Sequence, residues 1–169
     1  MIVIVTGPLG IGKSTTAWKL LARFERAAML DLDYIAAIQP FDYYKQADLD
    51  YAYATAGVLA AHHVAHGITN LVLNWVLEVP EQLERLSKAL EVCKLPIYTF
   101  RLTCTPEELE RRVRQRNNED LDFELRRSQE LLGILARAAQ TGYLGEEIDT
   151  TALNSDQVVD LIWQRIHAD

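Results

Sequence analysis

Apolar residues in this chain fall into short unbroken runs, and longer stretches with helical signals separate them. The runs at 2–6, 28–32, 68–75 and 97–103 read as strands covered on both faces, since a half-exposed strand would alternate apolar with polar. A shorter segment at 147–150 completes the set as a last strand. Between them, helices are expected from 13 to about 26, from 41 to a stop at Gly67, and over 81–93 behind Pro80. Thr105, Pro106 and Glu108 form a helix start with a capping box, and that helix is expected to continue through Arg116. A polar break at 117–122, a helix over 123–141 and a helix over 156–167 capped by Ser155 follow. Strand alternating with helix implies a parallel sheet with helices on both faces.

The first strand runs into Gly7-Pro8-Leu9-Gly10-Ile11-Gly12-Lys13-Ser14, which completes the G-x-x-x-x-G-K-[ST] spacing of a phosphate-binding P-loop. Glycines let the backbone N–H groups turn inward around phosphate oxygens, and the helix that starts inside the motif adds unpaired N–H groups and a positive dipole end. Residues 7–15, Thr15 included, are therefore the expected triphosphate cradle. Lys13 is expected to reach the β- and γ-phosphates, and the Ser14 hydroxyl to hold Mg²⁺. The carboxyl ends of the other strands carry Asp31 and Asp33, Asn74 and Trp75, residues 103–105, and Thr150 with Thr151. In an open parallel sheet this edge receives the ligand.

Composition narrows the picture further. At 169 residues the chain suits one domain, and a net charge of −7 argues against a broad nucleic-acid surface. Cys93 and Cys104 lack metal-ligand spacing and read as reduced core thiols. With a strand starting beside Met1 and no apolar run of spanning length, the expected location is cytoplasmic, with no membrane partner. His62 and His66 share a helix face, but without a nearby carboxylate pattern they read as favourable charges near a helix C-terminus. Trp18 and Trp163 are expected in helix–sheet interfaces, while Trp75 suits either core packing or stacking on a ligand ring.

With its amino-terminal P-loop, Asp31-x-Asp33 after the second strand and Arg112-x-x-x-Arg116 after the fourth, the chain resembles small P-loop kinases. These are the shikimate kinase, gluconate kinase, chloramphenicol phosphotransferase and nucleoside monophosphate kinase-like proteins. The resemblance implies an α/β three-layer P-loop NTPase fold whose five parallel strands run in the order 2-3-1-4-5. It implies one domain with a core of 1–33, 67–116 and 141–169, an acceptor-binding region near 34–66 and a lid near 116–127. By the same resemblance Asp33 would bind the acceptor hydroxyl and take its proton, and Asp31 would be the outer-sphere partner of Mg²⁺. Arg112 would lie against the adenine of ATP, with Thr150 in the same nucleotide site. Arg116 and Arg127 would close on the phosphates, Arg126 being the alternate to Arg127. On an extended strand the i, i+2 spacing would point both aspartates the same way.

The departures bear on substrate. From 34 to 84 the sequence has no arginine, and Lys45 is its only strongly basic residue, so an anionic acceptor would be poorly held. The segment instead carries Asp42, Asp48 and Asp50 with Tyr43, Tyr44, Tyr51 and Tyr53. Asn74 stands where many P-loop proteins have a Mg²⁺-linked aspartate, which shifts that duty to Ser14, Asp31 and waters. The sequence thus predicts an ATP-dependent phosphotransferase acting on a neutral or cationic hydroxyl compound: a sugar, amino sugar, nucleoside or antibiotic-like molecule. A nucleoside or nucleotide kinase and a non-catalytic nucleotide-binding module are the alternatives. The expected state is a monomer or weak homodimer.

Overall fold

The computed structural model describes residues 1–116 and 120–168. Strands β1 (Ile2–Thr6), β2 (Ala28–Asp31), β3 (Leu71–Asn74), β4 (Ile97–Thr103) and β5 (Glu146–Asp149) form one sheet in the order β2-β3-β1-β4-β5. Every pairing is parallel, with Val5 beside Asn74, and Asn74 beside Asp31 across β3 and β2. This is the expected topology. Successive strand residues supply opposite faces. Ile2, Ile4, Leu71 and Leu73 pack beneath α3 (Gln46–Ala65) and α4 (Pro80–Leu90), while Val3, Val5, Phe100 and Leu102 pack beneath α1 (Lys13–Leu21) and α7 (Ser155–Ile166). Helix α2 is the short turn Leu32–Ile35, and α5 (Pro106–Gln115) and α6 (Leu121–Thr141) lie against each other.

Several boundaries differ from the sequence expectation, each for a local reason. Helix α1 stops at Leu21 because Arg23 and Phe24 donate to Leu20 and Leu21, three residues back, and tighten the chain out of the helix. Strand β3 is only Leu71–Asn74, and α3 begins at Gln46 rather than at 41, because 36–45 folds as turns around Asp42 and Asp48. Helix α4 ends at Leu90 and passes through a 3₁₀ turn, Glu91–Cys93. The last helix is capped by Asn154 rather than Ser155, in a reciprocal box with Gln157. Residues 117–119 of the expected polar break, which fall in the expected lid, lie outside the described residues.

Two packing details explain the alanine-rich α3. Ala52, Ala56 and Ala60 are fully buried, and a Cβ on Gly57 would come within 2.5 Å of the Ala89 carbonyl oxygen. Small residues there let α3 and α4 approach backbone to backbone. Trp18 departs from expectation: it is 56% exposed, because the buried stripe of α1 runs through Thr16, Ala17 and Leu20 instead. Trp163 does pack inward, its ring 4.9 Å from that of Phe24. Cys93 and Cys104 are buried free thiols, and burial raises both pKa values.

Candidate nucleotide and acceptor site

The strand-to-helix bend after β1 forms one wall of an open cleft of about 750 Å³. Gly10 sits at a φ of +82°, which favours glycine, and a Cβ there would strike Val113 of α5. The loop is thereby pressed against the helix that carries Arg112. Lys13 is 8% exposed, and its Nζ donates to the Pro8 carbonyl oxygen at 3.0 Å, spanning the loop. Burial lowers its pKa to about 8, opposed by Asp33 and Asp31 and reinforced by Arg116. Lys13, Ser14, Thr15, Asp33, Arg112, Arg116 and Thr150, spread along the sequence, all line this one cleft.

Arg112 is held more firmly than a surface arginine. Its guanidinium donates to Glu108 at 2.7 Å, the Ile11 carbonyl at 3.1 Å, the Thr150 hydroxyl at 2.9 Å and the Thr150 carbonyl at 2.6 Å. One planar fork thus ties the loop after β1 to the chain leaving β5. Thr150 is buried and also donates its hydroxyl to Thr103. Glu108 is held near a pKa of about 2 by Arg111 and Arg112. The expected capping box is therefore only half made: the Thr105 hydroxyl accepts from Glu108 N–H, but the Glu108 carboxylate turns to the arginines. The Thr105 N–H donates to Thr151 instead. Sequence reasoning missed Glu108 as part of this clamp, although its i, i+3 and i, i+4 spacing to the two arginines was the available signal.

The two aspartates do not sit on one extended strand. Asp31 ends β2 and caps α2, its carboxylate accepting from Asp33 N–H at 3.0 Å, so Asp33 lies in the first helical turn. The helix turn, not strand alternation, brings Asp33 to the cleft beside Lys13. Asp33 remains at the solvent edge, yet the close protein wall and the charge of Asp31 raise its carboxyl pKa. Lys13 and the Trp75 indole N–H, which faces the carboxylate, pull it partly back. The geometry decides the open question on Trp75. It is 3% exposed, packed among Phe41, Tyr43 and Tyr53.

Asn74 is 1% exposed, and its Nδ2 donates to the Ser14 hydroxyl at 3.3 Å. Its Oδ1 is buried without a hydrogen-bond partner, and Asp31 is its neighbour across the strand pair. A hydroxyl, an unsatisfied amide oxygen and a carboxylate form an all-oxygen donor set suited to a hard cation that keeps its waters, so these residues fit Mg²⁺.

The arginines separate. Arg116 lines the cleft and faces Glu124 at 3.9 Å. Arg127 does not line it: its guanidinium is held by Glu78 at 2.5 Å and Glu130 at 2.9 Å. No sequence pattern announced the Glu78 pairing, which spans 49 positions. Arg126, the alternate, is exposed on the same helix. Arg111 and Arg114 pair with Glu108 and Glu110. Near the end of α3 the His66 ring turns back to the His62 carbonyl. Among the described residues no helix is long and apolar enough to cross a membrane.

A parallel sheet in this order, with a glycine bend and a buried lysine at the tip of its central strand, defines a P-loop kinase-like fold. Within that class the chain belongs to the AAA_33 family of AAA domains, whose model matches residues 2–141. Solved structures agree on the fold. The tunicamycin resistance protein of Deinococcus radiodurans superposes with a TM-score of 0.70 at 18% identity, covering 98% of this chain and 94% of its own. A sugar kinase from Janibacter gives 0.67 at 17%, covering 98% and 95%. The APS kinase of Mycobacterium tuberculosis, solved with AMPPNP and APS, gives 0.66 at 17%, covering 98% and 96%. No curated protein matches the sequence.

Proposed function

We propose that the protein is an ATP-dependent phosphotransferase that moves the γ-phosphoryl group to a hydroxyl of a small neutral or cationic molecule. The observation that carries this reading is the convergence of Asp33 and Lys13 on one cleft wall, from separate elements. The P-loop N–H groups and Lys13 receive the triphosphate, and the clamped guanidinium of Arg112 offers its flat face to the base. The acceptor O–H donates its proton to the Asp33 carboxylate as its oxygen bonds to the γ-phosphorus. The bond from that phosphorus to the β-phosphate oxygen breaks, and its electrons leave with ADP. Lys13 and Arg116 stabilise charge on the group in flight, where preorganised cations are worth most. Arg127 would contribute only after release from Glu78. Mg²⁺, when bound, would neutralise charge on the β- and γ-phosphates, and Ser14, Asn74 and Asp31 are the residues that would hold it.

The charges of the acceptor region favour a neutral or cationic substrate. Asp42 and Asp48 are used in the loop's own hydrogen bonds, and Asp50 pairs with Arg85 at 3.0 Å. Those N–H bonds leave the Asp42 and Asp48 charges in place, only Asp50 being closely offset by a cation, and Arg85 and Arg127 already face carboxylates, so little there favours an anion. An ATP-consumption screen across hydroxylated metabolites, with Asp33→Asn as control, tests the reading. A phosphorylated product that is lost in the variant supports it, and nucleotide binding with no product from neutral, cationic or anionic alcohols rejects it.

A further inference from the structure

The wall that continues from Asp33 away from the nucleotide cleft is built of aromatic rings. Trp75 forms its floor, with Phe41, Tyr43 and Tyr53 around it at ring separations of 6.5, 6.3 and 5.7 Å. Tyr43 is the outermost of these. It meets the edge of Phe41 at 4.8 Å, and it stays 53% exposed. Tyr34 and Tyr44, nearby in the chain, are exposed as well, at 81% and 82%. An exposed ring that rests on a buried aromatic cluster offers a ligand a fixed flat face. Its position is set by Trp75, whose ring lies 6.3 Å from that of Tyr43 at a tilt of 57° and whose indole N–H faces Asp33. Burial and the Asp33 charge keep the Tyr43 hydroxyl protonated.

We propose that the acceptor carries a planar ring, uncharged or cationic, that lies on Tyr43 while its hydroxyl reaches Asp33. This rests on the kinase reading and specifies its substrate class. Three features favour such an occupant over a carboxylated or purely saturated one. A flat ring gains offset or edge contacts with Tyr43 that a saturated polyol cannot make. The open carboxylate at the end of the wall is Asp33, which repels an anion and accepts from an alcohol. Lys45, Arg85 and Arg127 face Asp48, Asp50 and Glu78 respectively, so none of them stands ready to hold an anion.

The test pairs alcohols of matched size and charge. Nucleosides and aryl-substituted diols are compared with saturated sugars and cyclohexyl diols in the ATP-coupled assay, and binding of a non-hydrolysable ATP analogue is measured in parallel. Ring-bearing acceptors are expected to show the higher kcat/KM. Tyr43→Ala is expected to raise the KM of the preferred ring acceptor by about tenfold, with kcat and ATP-analogue affinity unchanged. Tyr43→Phe, which keeps the ring, is expected to behave as the parent. Equal use of saturated partners overturns the proposal, as does equal damage by Tyr43→Phe and Tyr43→Ala. Failure to bind the ATP analogue instead overturns the kinase reading, and the proposal with it. Urea unfolding of both variants separates a misfolded wall from a lost contact.

Discussion

Lys13 and Asp33 are opposed in charge and sit at one cleft, yet each is shifted toward its neutral form by its surroundings. Burial lowers the lysine to about 8, while desolvation and Asp31 raise the aspartate above its ordinary value. The proposed transfer needs Asp33 ionised and Lys13 protonated. Rate should therefore rise with pH through the raised Asp33 value and fall as pH passes about 8. Because kcat/KM reports the free enzyme, a profile of kcat/KM for ATP is expected to be bell-shaped with its alkaline limb near 8. A profile flat from pH 7 to about 10 would show that Lys13 titrates at its ordinary value. Lys13→Ala is expected to remove phosphoryl transfer in a protein that still folds, since it relieves the desolvation of a buried charge. The activity assay and a urea melt together check both halves.

Elements set which residues can substitute for one another. Asn74 on β3 and Asp31 on β2 are register partners, so the carboxylate that many P-loop proteins place on the third strand is one strand over. If the pair acts together at the cation, its charge should be exchangeable. Asp31→Asn is expected to weaken Mn²⁺ binding to the protein–nucleotide complex by about tenfold while preserving the α2 cap, because asparagine caps as well as aspartate. Adding Asn74→Asp should restore most of it. Mn²⁺ titration followed by electron paramagnetic resonance reads this without turnover, and no recovery in the double variant would separate the two residues. Packing between α3 and α4 gives a second element-scale test. Gly57→Ala improves helix propensity but drives a methyl into the Ala89 carbonyl, and overpacking dominates. The expected loss is about 1–3 kcal/mol, seen as a lower urea midpoint.

At the scale of the whole molecule, one guanidinium joins two walls of the cleft. Arg112 links the bend after β1 to Thr150 after β5, positions at opposite ends of the chain. Arg112→Lys keeps the charge but cannot supply the planar fork. It is expected to weaken ATP-analogue binding by about tenfold with little change in kcat, as isothermal titration and steady-state kinetics would show. A parallel fall in kcat would instead place Arg112 at the reacting phosphate.

Much of this molecule was legible in the order of its residues. The run Ile2 to Thr6, the glycine spacing that follows and the four further runs fixed the class of sheet, because continuous apolar strands must be covered on both sides and parallel connections are right-handed. Lys13 and Ser14 could be named from spacing because the P-loop is a local device whose backbone carries its own geometry, whereas Asp33 was named only through the family resemblance. What spacing could not give were contacts between distant segments. The turn of α2 that carries Asp33 to the cleft, the Glu78–Arg127 pair and the Arg112 clamp arise from packing, and chain distance says nothing about them. The same holds for the aromatic wall. Its tyrosines were visible in the sequence, but only the fold buried Trp75 beneath Tyr43 and left Tyr43 exposed. Local chemistry is written in neighbours along the chain; the shape of the acceptor site depends on which helices and loops come to rest against the sheet.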